Sequence, residues 1–258
     1  MVLAQRREAI RNILLEKKTI SVAQLSEFLN VSSETIRRDL DILSQEGFCK
    51  KTYGGATLNT RNTAFVPQAG RRSLLLEEKR QMAQIALQFI QPNDCIFIDY
   101  TSTVSSICSV IKDIPLTIVT NSVSVFQDLA GKKNIQLILT GGKFSEFELG
   151  LFSADAETFV RNHHVDKLFF SPHALDLERG IFDGTDYTAS LHKLFLEHSS
   201  EHYLLADHTK LGRRGFANIL PDYRKIDYLI TDEPLSEEWQ NMLNEQGVPF
   251  IWSQKDKS

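Results

Sequence analysis

The 258-residue chain is 42% hydrophobic and 24% charged, a globular balance that excludes disordered, collagen-like and low-complexity architectures. Its length allows one large domain or a small one joined to a larger one. No run of about 18 uncharged apolar residues occurs, and the opening MVLAQRREAIRNILLEKK is charged throughout, so neither a membrane partner nor a signal peptide is expected and the chain reads as cytoplasmic. Cys49, Cys95 and Cys108 are odd in number and form no CxxC pair, which suggests buried hydrophobes, not disulfides or a zinc site.

The formal net charge of −4 is unevenly distributed: residues 1–62 carry 10 Lys and Arg against 7 Asp and Glu, leaving 19 against 26 for the remainder. A mildly basic head on an acidic body is compatible with DNA binding by the head alone, because phosphate attraction is screened within about 8 to 10 Å at physiological salt.

In the head, Leu3, Ile10, Ile13 and Leu14 recur at helical spacing over residues 2–16, with Arg6, Arg7 and Arg11 on other faces. Ser21 stands at an N-cap with Gln24 three residues on, a capping-box spacing, ahead of a short helix whose apolar face is Leu25, Phe28 and Leu29. After the break Asn30-Val31, Ser32 caps a third helix in which Ile36, Leu40 and Leu43 form the inward stripe and Gly47 the end. Short helix, tight turn and longer helix make a helix-turn-helix. Ser33, Glu34, Arg37, Arg38 and Asp41 then project outward, and the first four suit base edges and phosphates in a major groove. Residues 48–52 and 56–58 flank Gly54-Gly55 as two short strands, a wing that carries Lys50 and Lys51 towards the phosphates. The competing view, in which Arg37 and Arg38 only pair with Asp41 on the helix surface, explains neither the caps nor the wing.

Arg7, the stretch 21–29, Val31-Ser32-Ser33-Glu34-Thr35-Ile36-Arg37-Arg38-Asp39-Leu40, Gly47 and Tyr53-Gly54-Gly55-Ala56 together resemble the winged helix-turn-helix signature of the DeoR family of bacterial transcription regulators. Tyr53 stands where that family commonly has His. The candidate DNA-contacting set is Ser32, Ser33, Glu34, Thr35, Arg37, Arg38, Lys50, Lys51 and Tyr53, and the partner implied is a double-stranded DNA operator.

Residues 59–73, NTRNTAFVPQAGRRS, lack periodicity and read as a linker between a head (1–58) and a body (74–258). Residues 74–90 follow a helical pattern. After them β-rich runs at 95–99, 116–120, 135–140, 167–171, 202–206 and 228–231 alternate with helical ones, which favours a largely parallel sheet covered on both faces. Polar or glycine residues follow the first three runs: Asp99 with Thr101, Ser102 and Thr103, then Asn121 and Ser122, then Gly141 and Gly142. Ligands of open α/β sheets gather at these strand ends, and free amides at helix N-termini attract anions. Any one of these residues is more often an ordinary cap; three sets in succession point to a shared anion pocket. The loop 207–214, after the run 202–206, supplies Lys210 as a positive charge to the same edge, whereas Arg213 and Arg214 read as solvated surface. His198 and His202 lack an HExxH context and a third ligand, so no metal is expected. No GxGxxG, Walker or GxSxG motif occurs, and no cofactor is expected.

The resemblance extends through the body. It implies an α/β sensor domain similar to the ribose-5-phosphate isomerase and CoA-transferase fold that binds a phosphorylated sugar or related anion. The matching positions are Asp99, Thr101, Ser102, Thr103, Asn121, Ser122, Gly141, Gly142, Gly150, Gly180, Asp207, Lys210, Gly212, Asp227 and Asp232. Thr101 replaces the Gly usual in the family's first turn and is expected to narrow the site or change which anion fits, and His192 replaces a Lys. The function so implied is a DNA-binding regulator, a repressor released by a phosphorylated sugar, acting as a dimer or tetramer. The alternatives are a phosphosugar isomerase-like enzyme using Asp99, Asp186 or Lys210, and a body that serves only oligomerisation.

Overall fold

The computed structural model of the protein describes residues 3–45, 48–58 and 66–253. Contacts divide the chain into two compact units, Met1–Leu74 and Leu75–Ser258.

The first unit is built from α1 (Leu3–Lys17), β1 (Thr19–Ser21), α2 (Val22–Leu29), α3 (Ser33–Gln45), β2 (Cys49–Thr52), β3 (Gly55–Leu58) and α4 (Gln68–Arg72). The capping box at α2 is formed in both directions, and Asn30 ends that helix in the left-handed conformation that a short polar residue tolerates. Ile36, Leu40 and Leu43 are fully buried and meet Ile10, Leu14, Ile20, Leu25 and Phe48 in one core. Burial of each such side chain contributes about 1.5 to 3 kcal/mol. Phe28 departs from the expected apolar face: it is 56% exposed, with the Lys17 ammonium 4.3 Å from its ring centroid. The wing is three-stranded, β1-β3-β2, because Thr19–Ser21 adds an antiparallel edge that its length of three residues conceals in the sequence. Gly47 and residues 59–65 of the expected linker lie outside the described residues. The rest of that stretch is structured: Gln68–Arg72 form one short helix, and Val66 and Leu74 are buried in the core of this unit.

The second unit begins with α5 (Leu76–Ala86), shorter than the helical pattern because the last turn tightens into a 3-10 segment, Leu87–Phe89. Its main sheet takes β4 (Cys95–Ile98), β5 (Leu116–Thr120), β6 (Ile135–Leu139), β9 (Val165–Phe170), β12 (Ser199–Ala206), β14 (Tyr228–Thr231) and β15 (Phe250–Trp252). All neighbours are parallel, in the order β15-β14-β12-β9-β4-β5-β6. Side chains alternate between two apolar layers. Ile96 and Ile98 of β4, with Tyr203 and Leu205 of β12, face α5 and α6 (Val123–Leu129) through Met82, Ala86, Val125 and Leu129. Phe97, Leu204 and Ala206 face α7 (Ala154–Arg161), α8 (Asp186–Glu197) and α9 (Glu237–Glu245) through Val160, Leu191, Phe195, Trp239 and Leu243. Burial on both faces explains why the strands read as unbroken apolar runs.

Two smaller sheets were not foreseen. β7 (Lys143–Ser145) and β8 (Gly150–Phe152) form a hairpin, and β10 (Ala174–Asp176), β11 (Gly180–Asp183) and β13 (Ala217–Leu220) form an antiparallel sheet. Each strand is only three or four residues long, too short for alternation to register. In the main sheet the chain runs outward through β4, β5 and β6, then returns to place β9 on the other side of β4. The gap between the ends of β4 and β9 is therefore a topological switch point, where open α/β sheets hold ligands.

Candidate functional site

On the first unit, Ser32 caps α3 through its Oγ, which accepts the Thr35 amide at 3.2 Å. The stripe of Ile36, Leu40 and Leu43 turns inward, so Ser32, Glu34, Arg37 and Arg38 are exposed and Ser33 and Thr35 half-buried. Arg38 pairs with Glu34, Nε to Oε1 3.3 Å, one turn back, while Asp41 pairs with Lys51 of the wing. The pairing of both arginines with Asp41 is thus not what the helix adopts. Lys50, Lys51 and Tyr53 are exposed on the wing, with Tyr53 at its tip. Gly55 is required by packing: a Cβ there would stand 2.3 Å from the Ile20 carbonyl oxygen and 2.9 Å from Ser21 Cα, so only glycine lets β3 pair with β1.

The residue that sequence reasoning passed over is Asp39. It is 1% exposed and accepts Arg6 Nε at 2.5 Å and Arg7 Nε at 3.1 Å, which ties α1 to α3. Arg6 and Arg7 therefore turn inward and do not simply occupy outer faces of α1.

On the second unit, four of the predicted ligand residues lie in the turn after β4. Asp99 is fully buried, and its Oδ1 accepts the Thr101 amide at 2.8 Å and the Thr101 hydroxyl at 2.5 Å. Its Oδ2 accepts the amide of Ser171, the residue following β9, at 2.8 Å. One carboxylate thus ties together the two turns of the switch point. Two ammonium groups reach the hydroxyls of these turns. Lys210 Nζ donates to Ser171 Oγ at 2.5 Å and to Thr103 Oγ1 at 3.4 Å, and Lys79 Nζ, from α5, donates to Ser102 Oγ at 3.1 Å.

Lys210 is held in place by its own turn. Asp207 Oδ1 accepts the Thr209 amide at 3.0 Å, the Lys210 amide donates to the Asp207 carbonyl, and Asp232 at the end of β14 accepts the His208 amide at 2.7 Å and its Nδ1 at 2.6 Å. Burial opposes the charged form of His208, but the hydrogen bond and charge of Asp232 prevail and raise its pKa. Arg213 and Arg214 are more than solvated surface: Arg213 Nη1 donates to the Thr209 carbonyl at 3.1 Å, and Arg214 Nε pairs with Asp176 at 2.6 Å.

Asn121 and Ser122 end the adjacent strand, β5. Ser122 Oγ caps α6 by accepting the Val125 amide, and Asn121 Nδ2 donates to the Leu151 carbonyl while its Oδ1 is buried without a hydrogen-bond partner. Gly141 and Gly142 follow β6, one strand further out, where Gly142 packs against Ser153 and Ala156. Asp186 is exposed in the first turn of α8. His198 closes α8 and His202 lies in β12, its Nδ1 on the Lys225 carbonyl, so the two do not share a helical face. Among the described residues no cluster of His, Cys, Asp or Glu could hold a metal, and no helix is long and apolar enough to cross a membrane.

A winged helix-turn-helix with an exposed cationic face, carried by a chain whose second unit has lysines and hydroxyls at a switch point, defines a DNA-binding regulator with a separate sensor unit. Residues 6–62 match the DeoR-like helix-turn-helix domain and residues 75–233 the DeoR C terminal sensor domain. The chain is 32% identical to the uncharacterized HTH-type transcriptional regulator YulB of Bacillus subtilis (strain 168), over 96% of each chain. It is 30% identical to the putative aga operon transcriptional repressor of Escherichia coli O157:H7, over 96% of this chain and 93% of that one. It is also 30% identical to the L-fucose operon activator of Haemophilus influenzae, over 95% and 98%. The chain belongs to the DeoR family of transcriptional regulators. Among solved structures, ribose 5-phosphate isomerase A of Methanocaldococcus jannaschii aligns over 53% of this chain and 54% of that one, with a TM-score of 0.39 and 13% identity.

Proposed function

We propose that this regulator is a cytoplasmic repressor of a carbohydrate operon, released from its operator by a phosphorylated sugar metabolite. In this reading the first unit binds DNA, and the second senses the effector and assembles two or four copies. The observation that carries the reading is the convergence of Lys210 and Lys79 on the hydroxyls of Ser171, Thr103 and Ser102 at the switch point. Two ammonium groups beside the hydroxyls of Ser102 and Thr103 match the charge and acceptor geometry of a phosphate monoester. Asn121 Oδ1, buried and without a partner, is an acceptor for a sugar hydroxyl from the neighbouring strand end. A relative named for the L-fucose operon supports the carbohydrate connection, and one named a repressor supports the sign, although the fucose relative is itself named an activator. On the head, Ser32, Ser33, Glu34, Thr35, Arg37, Arg38, Lys50, Lys51 and Tyr53 form the DNA face. Two heads per operator give the effective concentration that a single mildly basic head lacks.

The effector loosens operator binding only through its differential affinity for the DNA-bound and free forms, typically about 1 to 3 kcal/mol. Lys210→Ala removes a charge-assisted contact of roughly 1.5 to 3 kcal/mol, or about 10- to 150-fold in effector affinity. The variant is expected to stay on its operator at sugar-phosphate concentrations that release the wild type. Equal calorimetric affinities of wild type and variant across a panel of sugar phosphates would exclude Lys210 from the site.

A further inference from the structure

His192 lies in α8 with both ring nitrogens on carboxylates. Nδ1 is 2.7 Å from Asp183 Oδ2 in β11, and Nε2 is 3.1 Å from Asp99 Oδ2 in the turn after β4. All three side chains are 2% exposed or less. An ionised carboxylate only accepts, so both nitrogens donate and the ring is an imidazolium. The charged groups facing it are Asp183 and Asp99; otherwise it packs against the rings of Tyr100 at 5.9 Å, Phe170 of β9 at 5.6 Å and Phe195 of its own helix at 6.5 Å. Burial disfavours its charge, but the two carboxylates outweigh burial and its pKa is pushed up to about 10.

The imidazolium completes the shell of Asp99. The other three donors on that carboxylate are the Thr101 amide, the Thr101 hydroxyl and the Ser171 amide. With all four positions taken from within the protein, Asp99 organises the two turns and does not offer itself to a ligand. The groups those turns present are the hydroxyls of Ser102 and Thr103, with Lys79 and Lys210 on them, while the Ser171 hydroxyl donates to the Leu205 carbonyl and holds Lys210.

We propose that His192 is a positioning residue for the anion site: its charged ring, bonded to Asp183 on one side and Asp99 on the other, holds the Asp99 carboxylate in place and so locks the turns after β4 and β9 in register. It acts through Asp99 and has no contact with the ligand; its consequence for effector binding rests on the anion-site reading above. Without the charge, two buried carboxylates face each other across a neutral side chain and repel, which pushes Asp99 off its donors. The tie of Asp99 to Thr101 or to Ser171 is then lost.

The test compares His192→Gln, which approximates the shape without the charge, with His192→Lys, which keeps the charge without the shape. Amide hydrogen exchange at Thr101 and Ser171 is measured in the unliganded full chain, together with binding of sulfate, a dianion throughout, at about pH 5.5 and about pH 8. At the higher pH the Gln variant is expected to exchange at these two amides about 10- to 150-fold faster than wild type and to weaken sulfate binding in step. Both defects shrink on acidification, as a proton replaces the missing charge. The Lys variant remains close to wild type, and His192→Gln/Asp183→Asn, which removes the surplus negative charge, regains protection even if the single Gln variant does not fold. A Lys variant as impaired as the Gln variant, or a double variant without rescue, would overturn the proposal in favour of simple packing. If sulfate binds no version of the protein, wild type included, the anion-site reading falls, and exchange at Thr101 and Ser171 alone decides the role of His192.

Discussion

Replacing Asp39 with Asn tests whether α3, the proposed DNA-binding helix, is held from behind by one buried charge. Asp39 sits between exposed Arg38 and buried Leu40 on α3 and takes a hydrogen bond from each of Arg6 and Arg7. Removing one partner from a buried ion pair costs about 3 to 5 kcal/mol, because the remaining charge is left uncompensated. Here the arginine side chains keep 12% and 22% of their exposure and regain some water, which lowers the expected cost to about 2 to 3 kcal/mol. In a domain of this size each kcal/mol moves the midpoint by roughly 4 to 8 °C, so a loss of about 10 to 20 °C is expected in the transition of the first unit.

Thermal unfolding of the full chain, with hydrogen exchange on α1 and α3 to assign the transition, measures the effect. Operator binding should fall with it, although Asp39 itself is buried. Arg38→Ala is the control: its ion pair with Glu34 is solvent-exposed, a class worth about 0.3 to 0.5 kcal/mol, so stability should barely change while DNA affinity drops. An Asp39→Asn protein that melts within about 1 °C of wild type would refute the view that this charge organises the head.

Arg37→Ala and Arg38→Ala should each weaken operator binding. A base-reading arginine costs about 1 to 3 kcal/mol at one operator position, and a phosphate-binding one weakens all sequences alike, as gel shifts on an operator library would show. Gly55→Ala should destabilise the wing and reduce operator affinity, since its Cβ would meet the Ile20 carbonyl at 2.3 Å; an unchanged melting temperature would contradict this. The second unit should lose stability as pH rises from about 6.5 towards 10. His192 has a folded-state pKa above its unfolded value, so its contribution is complete below the unfolded pKa and vanishes as the folded one is passed. Denaturant titrations across that range should show this slope in wild type and not in His192→Gln.

Much of the head was legible because its signals are local. The capping box of Ser21 and Gln24, the Ser32 cap and the stripe of Ile36, Leu40 and Leu43 all operate within a few residues, and each formed as spacing demands. The role of Asp39 was not legible, because it depends on Arg6 and Arg7 more than thirty positions earlier. The six β-rich runs all became strands of the main sheet, for their apolar character reports burial whichever strand lies alongside. β15, at three half-buried residues, and the short antiparallel strands carry no such mark.

The candidate ligand site was half visible for the same reason. Polar residues after strands mark possible sites, but the local pattern does not say which strand ends adjoin. The order that places β9 beside β4 brings Ser171 to Asp99 across 72 positions and His192 across 93. A connection rule fixes the hand of such crossovers and leaves their order open. Lys79 is different, since a signal was available: it falls on the stripe of Met82, Ala83 and Ala86 and is 4% exposed. Lysine is almost never fully buried without a partner, so a lysine on the apolar face of a helix marks a position where the fold holds a charge on purpose. Here that charge is delivered to Ser102, in the same turn whose next residue receives Lys210. The two lysines lie 131 positions apart in the sequence, and only the folded sheet makes them neighbours of one turn. The proposed anion site can therefore form only in the folded unit, and any ligand that engages both lysines must stabilise that fold relative to the unfolded chain.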